Sequence, residues 1–141
     1  MLIPDVNILV NAYRPEGVHH TLCRNWLQAA LPGAEPLGLL DIVLVGFLRI
    51  VTNRRAFKTP STIDEALEFA NVLYNHSNCK RMGSSEAWWT HLTQLCAKLN
   101  AKGNLLTDLH IAAIAINQSA TVVTLDKDFE NIPGLNLQML E

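Results

Sequence analysis

The sequence predicts an α/β protein, a three-layer α/β/α sandwich with a central, mainly parallel sheet. Short apolar runs alternate along the chain with segments whose apolar residues recur at helical spacing, and this alternation is typical of parallel βαβ units. The 141 residues contain no internal repeat, low-complexity tract or linker. We therefore predict a single domain that spans residues 1–141.

Five strands are predicted from short runs of apolar or β-branched residues with polar or turn residues at their ends. In chain order they are Met1–Pro4, Pro36–Leu40, Cys79–Met82, Ala120–Leu125 and Leu135–Leu140. The fourth run is the clearest because it is rich in β-branched residues. The fifth follows a Pro-Gly turn and is expected at an edge of the sheet.

Six helices are predicted from apolar residues at a spacing of three and four, with proline or glycine near several helix ends. They are Val6–Tyr13, Val18–Leu31, Ile42–Val51, a helix that begins after Ser61 or Thr62, Glu86–Asn100 and Leu109–Asn117. Thr62 is followed three residues later by Glu65, which indicates a capping box. The third helix is so apolar that we expect it to be almost fully buried.

Composition excludes several classes of protein. The net charge of −2 implies no global attraction to nucleic acid or an anionic membrane, so contact with either would need a local basic patch or a metal ion. The three cysteines are scattered, which favours reduced thiols over a zinc ribbon or a redox motif. The longest apolar run is far shorter than a membrane span, and no signal sequence is visible. These features predict a cytoplasmic protein.

Three aspartates separated by over a hundred residues are expected at one edge of the sheet. Asp5 follows the first strand, Asp126 follows the fourth, and Asp108 precedes the helix that leads into the fourth. In open α/β sheets, ligands bind beyond the carboxyl ends of the strands. Each aspartate alone is more often a helix N-cap, and Asp128, two residues after Asp126, is most simply part of an Asx-turn.

Carboxylates that converge repel one another, and a divalent cation relieves this repulsion. Oxygen ligands without cysteine or histidine favour Mg²⁺ or Mn²⁺. Such an ion polarises a phosphoryl group and lowers the pKa of an attacking water. The pattern therefore predicts phosphodiester hydrolysis.

The chain resembles the PIN-domain ribonucleases, specifically the VapC-type toxins of bacterial toxin–antitoxin modules. The resemblance extends over essentially the whole length, and the order and spacing of its short segments make it specific. These segments are Leu2–Val10, His19-His20 with Trp26-Leu27, Gly46–Asn53, Thr107–Ala113, Val122–Phe129 and Pro133–Leu135.

The resemblance implies a metal-dependent endonuclease that acts on RNA, a cognate antitoxin that covers the active site, and a toxin homodimer. Asp5, Asp108 and Asp126 match the family's metal-binding acids, and Asn7 matches the polar residue that supports the first of them. Many family members carry a further glutamate where Gly46 stands in this sequence. Asp41 lies five residues earlier, which is roughly 140° around a helix, so it cannot occupy the same place.

Arg49 and the nearby basic residues Arg54, Arg55 and Lys58 are the densest cationic cluster. They are interpreted equally well as phosphate contacts for RNA or as cations that complement a helix C-terminus. Arg49 lies within the apolar third helix and is also open to interpretation as a buried ion-pair partner. Among the histidines, only His110, two residues after Asp108, is close enough in sequence to merit a test.

Other functions remain open at this point. A phosphatase of the haloacid-dehalogenase type would need an aspartate where Asn7 stands. A receiver-like signalling domain would need an acidic neighbour beside Asp5. A PIN fold retained only for binding is the third alternative, and Gly46 in place of an acid favours it.

Overall fold

The computed structural model describes all 141 residues as a five-stranded, all-parallel sheet with six α-helices. The strands are β1 (Leu2–Pro4), β2 (Leu37–Leu40), β3 (Cys79–Met82), β4 (Thr121–Thr124) and β5 (Asn136–Met139). The helices are α1 (Val6–Tyr13), α2 (His20–Ala30), α3 (Asp41–Val51), α4 (Ile63–Tyr74), α5 (Glu86–Leu99) and α6 (Leu105–Asn117), and a 3-10 helix (Lys127–Asn131) follows β4. The predicted α/β fold is confirmed.

The strand order β3-β2-β1-β4-β5 places β1 at the centre of the sheet. The chain first builds outward from β1 to β2 and β3, and then returns to add β4 and β5 on the other side. Leu2 pairs with both Leu37 of β2 and Thr121 of β4. The order therefore reverses between β1 and β4, and open α/β sheets bind ligands at such a reversal.

The core lies around the three central strands and α6. Ile3, Leu39 and Val122 on these strands are almost fully buried. Five consecutive residues of α6, from Ile111 to Ala115, are buried as well, and the three alanines among them let the helix pack closely. Tyr13 of α1, Phe47 of α3 and Phe69 of α4 stack around one another with ring centroids 5.0–5.4 Å apart. No helix is both long and apolar enough to cross a membrane.

Element boundaries differ from the prediction mainly at α6. The helix begins at Leu105, four residues before the predicted start, so Asp108 lies within its first turn instead of preceding it. Gly103 supplies a left-handed backbone (φ +61°) that turns the chain just before the helix. Asp41 is likewise the first residue of α3 instead of the residue before it.

Arg14, at the C-terminus of α1, holds the basic segment of residues 53–60 against the rest of the protein. Its guanidinium donates hydrogen bonds to Ser61 Oγ (2.8 Å) and to the carbonyl oxygen of Thr59 (2.7 Å). It also lies over the Phe57 ring, 4.3 Å from the centroid. The Arg14 side chain is only 11% exposed, and with a further ion pair to Glu16 these contacts engage both terminal nitrogens of its guanidinium.

We predict that Arg14→Ala lowers the free energy of unfolding by about 2 kcal/mol, because it removes charged hydrogen bonds and leaves the buried Ser61 hydroxyl without its donor. Urea unfolding at neutral pH measures this. The matched control is Arg24→Ala on the exposed face of α2, where Arg24 makes no hydrogen bond. Equal stability of the two variants would contradict the role given to Arg14.

Candidate active site

A cavity of about 600 Å³ opens where β1 and β4 end, between α1, α3 and α6. Six of the seven residues singled out from the sequence line it: Asp5, Asn7, Asp41, Arg49, Asp108 and Asp126. The seventh, Asp128, lies beside Asp108 and Asp126 but outside the cavity lining. The parallel register explains the convergence, because β1 and β4 are neighbours and end at the same edge.

Asp5 is buried and its carboxylate accepts three hydrogen bonds. Oδ1 accepts one from the Val6 backbone N–H (2.7 Å), which makes Asp5 the N-cap of α1. Oδ2 accepts two others, from the Thr124 hydroxyl (2.7 Å) and from Asn7 Nδ2 (3.1 Å). The cap interpretation of Asp5 is therefore correct, and it coexists with a position in the cavity wall.

Thr124, the last residue of β4, is the site residue that sequence reasoning missed. It is fully buried, and besides donating to Asp5 its Oγ1 accepts from Asn7 Nδ2 (3.2 Å) and from the Asp126 N–H (3.0 Å). One hydroxyl thus ties the end of β1 to the loop that carries Asp126. The available signal was a hydroxyl residue at the end of a buried strand, two positions before the aspartate.

Asn7 completes this network. Its Oδ1 accepts a hydrogen bond from the Leu125 backbone N–H (3.3 Å), while its Nδ2 donates to Asp5 and Thr124. Both polar atoms of its side chain bond to neighbours, which fits a support for Asp5. An amide bonded in this way cannot act as the general acid that a phosphatase would need at this position.

Asp108, Asp126 and Asp128 form the tightest acidic cluster, with one carboxylate oxygen from each within 4.8 Å of the others. Asp126 Oδ1 accepts from the Asp128 N–H (2.9 Å) and caps the 3-10 helix. The predicted Asx-turn is therefore present, but its carboxylate belongs to Asp126. Asp128 turns its own side chain toward the cluster, and Asp5 lies next to this trio without belonging to it.

Burial and mutual repulsion raise the pKa values of two acids in the site. Burial raises the pKa of Asp5, and the charge of Asp126 adds to this, while the three hydrogen bonds oppose it. Burial raises the pKa of Asp108 to about 7, helped by the charges of Asp5, Asp126 and Asp128. Because the donors are all carboxylate oxygens, they fit a hard divalent cation such as Mg²⁺ or Mn²⁺.

The α3 side of the cavity carries no acid at the position of Gly46. A Cβ on Gly46 would lie 2.7 Å from Cγ2 of Val6, the residue after Asp5. Glycine is thus required for α3 to pack closely against the start of α1. Asp41 does reach the cavity, at the N-terminus of α3, but its Oδ1 accepts from Arg81 Nε (3.2 Å), and both side chains are over 60% exposed.

His110 does not belong to the site. Its ring packs edge-on against Trp88, with centroids 5.0 Å apart, and burial lowers its pKa. Although it follows Asp108 by only two residues, the helical turn directs it toward α5. Its role is packing.

The sequence pattern of the PIN domain matches residues 2–135 of the chain. The chain belongs to the PIN-domain family. Two curated relatives of this PIN domain are mycobacterial. VapC ribonuclease Mb2897 of Mycobacterium bovis is 38% identical over 129 residues, which is 92% of this chain and 88% of the relative. Ribonuclease VapC31 of Mycobacterium tuberculosis is 33% identical over 129 residues, which is 92% of this chain and 91% of the relative.

Solved structures share the fold. The VapBC2 complex from Rickettsia felis, bound to a promoter DNA fragment, contains a chain with a TM-score of 0.75 and 22% identity, and the match covers 99% of this PIN domain and 98% of that chain. VapC20 of Mycobacterium tuberculosis, described as a sarcin-ricin loop cleaving toxin, has a TM-score of 0.71 and 9% identity, with 96% and 99% covered. The resemblance inferred from the sequence is confirmed.

We predict that stability in EDTA falls as the pH rises from about 4 to about 7. The folded pKa of Asp108 is about 7, against 3.8 as its ordinary value, so the folded protein binds more protons in this window. Asp108→Asn should flatten this slope and be more stable than the wild type above pH 7. Urea unfolding across pH measures both, with the exposed Asp64→Asn as control. A slope unchanged in Asp108→Asn would contradict the prediction.

We predict that Thr124→Val lowers the free energy of unfolding by about 1–3 kcal/mol, because valine keeps the shape but leaves buried polar groups without partners. It should also raise the pKa of Asp5 further, since the hydroxyl that stabilises the ionised form is lost. Urea unfolding measures the first effect and carboxyl NMR the second. Thr121→Val at the other end of β4 is the control and should change neither.

Proposed function

We propose that this PIN domain is a metal-dependent endoribonuclease of the VapC type, which hydrolyses phosphodiester bonds in RNA. The observation that carries the proposal is the convergence of Asp5, Asp108 and Asp126 in one cavity at the carboxyl edge of the sheet. The relatives named VapC ribonucleases, 33–38% identical across 92% of this chain, support the same activity.

We assign Asp5, Asp108 and Asp126 as the residues that would hold Mg²⁺ or Mn²⁺, and Asp128, whose carboxylate clusters with those of Asp108 and Asp126, is a further candidate. When bound, the ion polarises the scissile phosphate and lowers the pKa of the attacking water. Thr124 and Asn7 keep the Asp5 carboxylate in one orientation, and the bond from the Asp128 N–H does the same for Asp126. The two carboxylates are therefore already oriented to bind a cation, without rearranging.

The raised pKa of Asp108 also affects how metal binding depends on pH. Its pKa of about 7 in the metal-free protein means that a cation must displace a proton there near neutral pH. Metal affinity should therefore rise with pH up to about 7. Asp41, already bonded to Arg81, is assigned to the outer edge of the cavity and does not replace the missing glutamate.

We further propose a cognate antitoxin that covers this cavity and inhibits cleavage, a homodimeric toxin and a cytoplasmic location. The chain shares its fold with chains from several VapBC toxin–antitoxin complexes, which supports an antitoxin partner. A small adjacent reading frame that encodes a DNA-binding protein would supply the candidate. Co-expression tests it, because the two proteins should co-purify and RNA cleavage should be suppressed.

A PIN fold that binds RNA but cleaves it weakly is the second candidate, and Gly46 is the observation that favours it. Without an acid on α3, the cavity has fewer ligands than many family members carry. Under this alternative the wild type binds RNA but cleaves it weakly or not at all with Mn²⁺.

We predict that Asp5→Asn lowers Mn²⁺-dependent RNA cleavage by at least about 100-fold, because it removes the charge of the most buried acid in the cavity. Gel analysis of a mixed RNA substrate measures the rate. Asp64→Asn, an exposed acid on α4, is the matched control and should cleave at the wild-type rate. Cleavage by Asp5→Asn at the wild-type rate would exclude the proposed mechanism.

We also predict that Asp108→Asn and Asp126→Asn each weaken Mn²⁺ binding by about tenfold or more, because each removes one anionic ligand from a shared site. Isothermal calorimetry measures the affinity directly and needs no RNA. Unchanged affinity in both variants would contradict a shared site even if cleavage is lost.

A further inference from the structure

Arg49 on α3 faces the same cavity as the acids and has no partner within the protein. The residues of α3 that line the cavity share one helical face and are Asp41, Ile42, Val45, Gly46 and Arg49. We propose that Arg49 binds a phosphate of the RNA backbone at the cleavage position and positions it against the acidic cluster. This assignment rests on the proposed ribonuclease function and names the residue that orients the substrate.

The guanidinium of Arg49 is free to take a ligand. It makes no hydrogen bond and no ion pair, whereas Arg14 and Arg81, also arginines, are both engaged. The nearest candidate partner on its own helix face is Asp41, and that carboxylate is bonded to Arg81. The buried ion-pair interpretation of Arg49 is therefore wrong, because the side chain is exposed and unpaired.

The geometry of α3 directs Arg49 along the cavity. Long side chains in a helix lean toward the N-terminus and cover the turn before their own Cα. For Arg49 that turn contains Val45 and Gly46, which both line the cavity.

The negative charges in the cavity explain why a cation there would favour the binding of an RNA phosphate. Asp5, Asp108 and Asp126 are three negative charges when ionised, and one divalent ion leaves one of them unbalanced. An RNA phosphate adds another negative charge, and repulsion between buried like charges opposes its entry. Arg49 supplies one positive charge within the cavity, and its planar fork matches two phosphate oxygens.

Arg49 differs in this respect from the other members of the basic cluster. Arg54, Arg55 and Lys58 are exposed and none of them lines the cavity. They lie on the segment that Arg14 holds in place, beyond the C-terminus of α3. They are suited to contacts with RNA outside the cleavage position, whereas Arg49 is the one member of the cluster that lines the cavity.

The test is RNA binding without metal. Fluorescence anisotropy in EDTA, where no cleavage occurs under the proposal, measures the affinity of a short single-stranded RNA of random sequence. Arg49→Ala should bind about tenfold more weakly, and its salt dependence should lose one phosphate contact, a slope change of about 0.7. Arg49→Lys should lie between, because it keeps the charge without the fork. Arg24→Ala on α2 should bind like the wild type.

A second readout separates phosphate binding from damage to the site. Mn²⁺ affinity by calorimetry should be unchanged or tighter in Arg49→Ala, because a cation near the site is removed, whereas Asp108→Asn should bind Mn²⁺ more weakly. Weaker Mn²⁺ binding by Arg49→Ala would mean that Arg49 supports the structure of the site, and would overturn the assignment.

The failures of the two proposals are distinguishable. If the wild type cleaves RNA and Arg49→Ala binds and cleaves it equally well, the assignment of Arg49 is wrong and the ribonuclease function stands. Equal losses of binding in Arg49→Ala and Arg24→Ala would reduce the effect to general charge and also overturn the assignment. If the wild type neither binds nor cleaves RNA, both proposals are wrong.

Discussion

The site depends on the hydrogen bond from the Thr124 hydroxyl to Asp5, which joins the ends of β4 and β1. These two strands lie side by side although more than a hundred residues separate them. The same hydroxyl accepts from the Asp126 N–H, and Asn7 closes the network from α1. Two acids from distant parts of the chain are thereby held by one fully buried group. A buried carboxylate tolerates this position because it accepts three hydrogen bonds.

Hydrogen bonds orient Asp5 and Asp126, but the negative charges of the acidic cluster repel one another. Hydrogen bonds oppose the rise in the pKa of Asp5, but Asp108 has no such bond, and burial together with three neighbouring charges raises its pKa to about 7. Shifted pKa values of this kind are concentrated at functional sites. The free energy that the fold loses by gathering like charges is recovered when a cation binds, so the same feature weakens the metal-free protein and favours metal binding.

The α3 side of the cavity follows from packing at the start of α1. Val6 follows Asp5, and a Cβ on Gly46 would lie only 2.7 Å from Cγ2 of Val6. A carboxylate at Gly46 would require the Val6 side chain, next to Asp5, to move. Close packing of α1 against α3 therefore goes together with the absence of an acid at position 46. On the same face of α3, Arg49 adds a positive charge to the cavity lining.

The sequence by itself determined the α/β fold, the five strands and the identity of Asp5, Asp108 and Asp126, because hydrophobic periodicity and acids at strand ends are local signals. It did not show that α6 starts at Leu105, because an aspartate is favoured at a helix N-cap and Asp108 was therefore expected to precede the helix. Only the tertiary structure decided the role of Thr124, the bond between Asp41 and Arg81, and the lack of a partner for Arg49. Each of these depends on which distant side chains become neighbours. The sequence around a hydroxyl or a guanidinium does not show which group it will bond to.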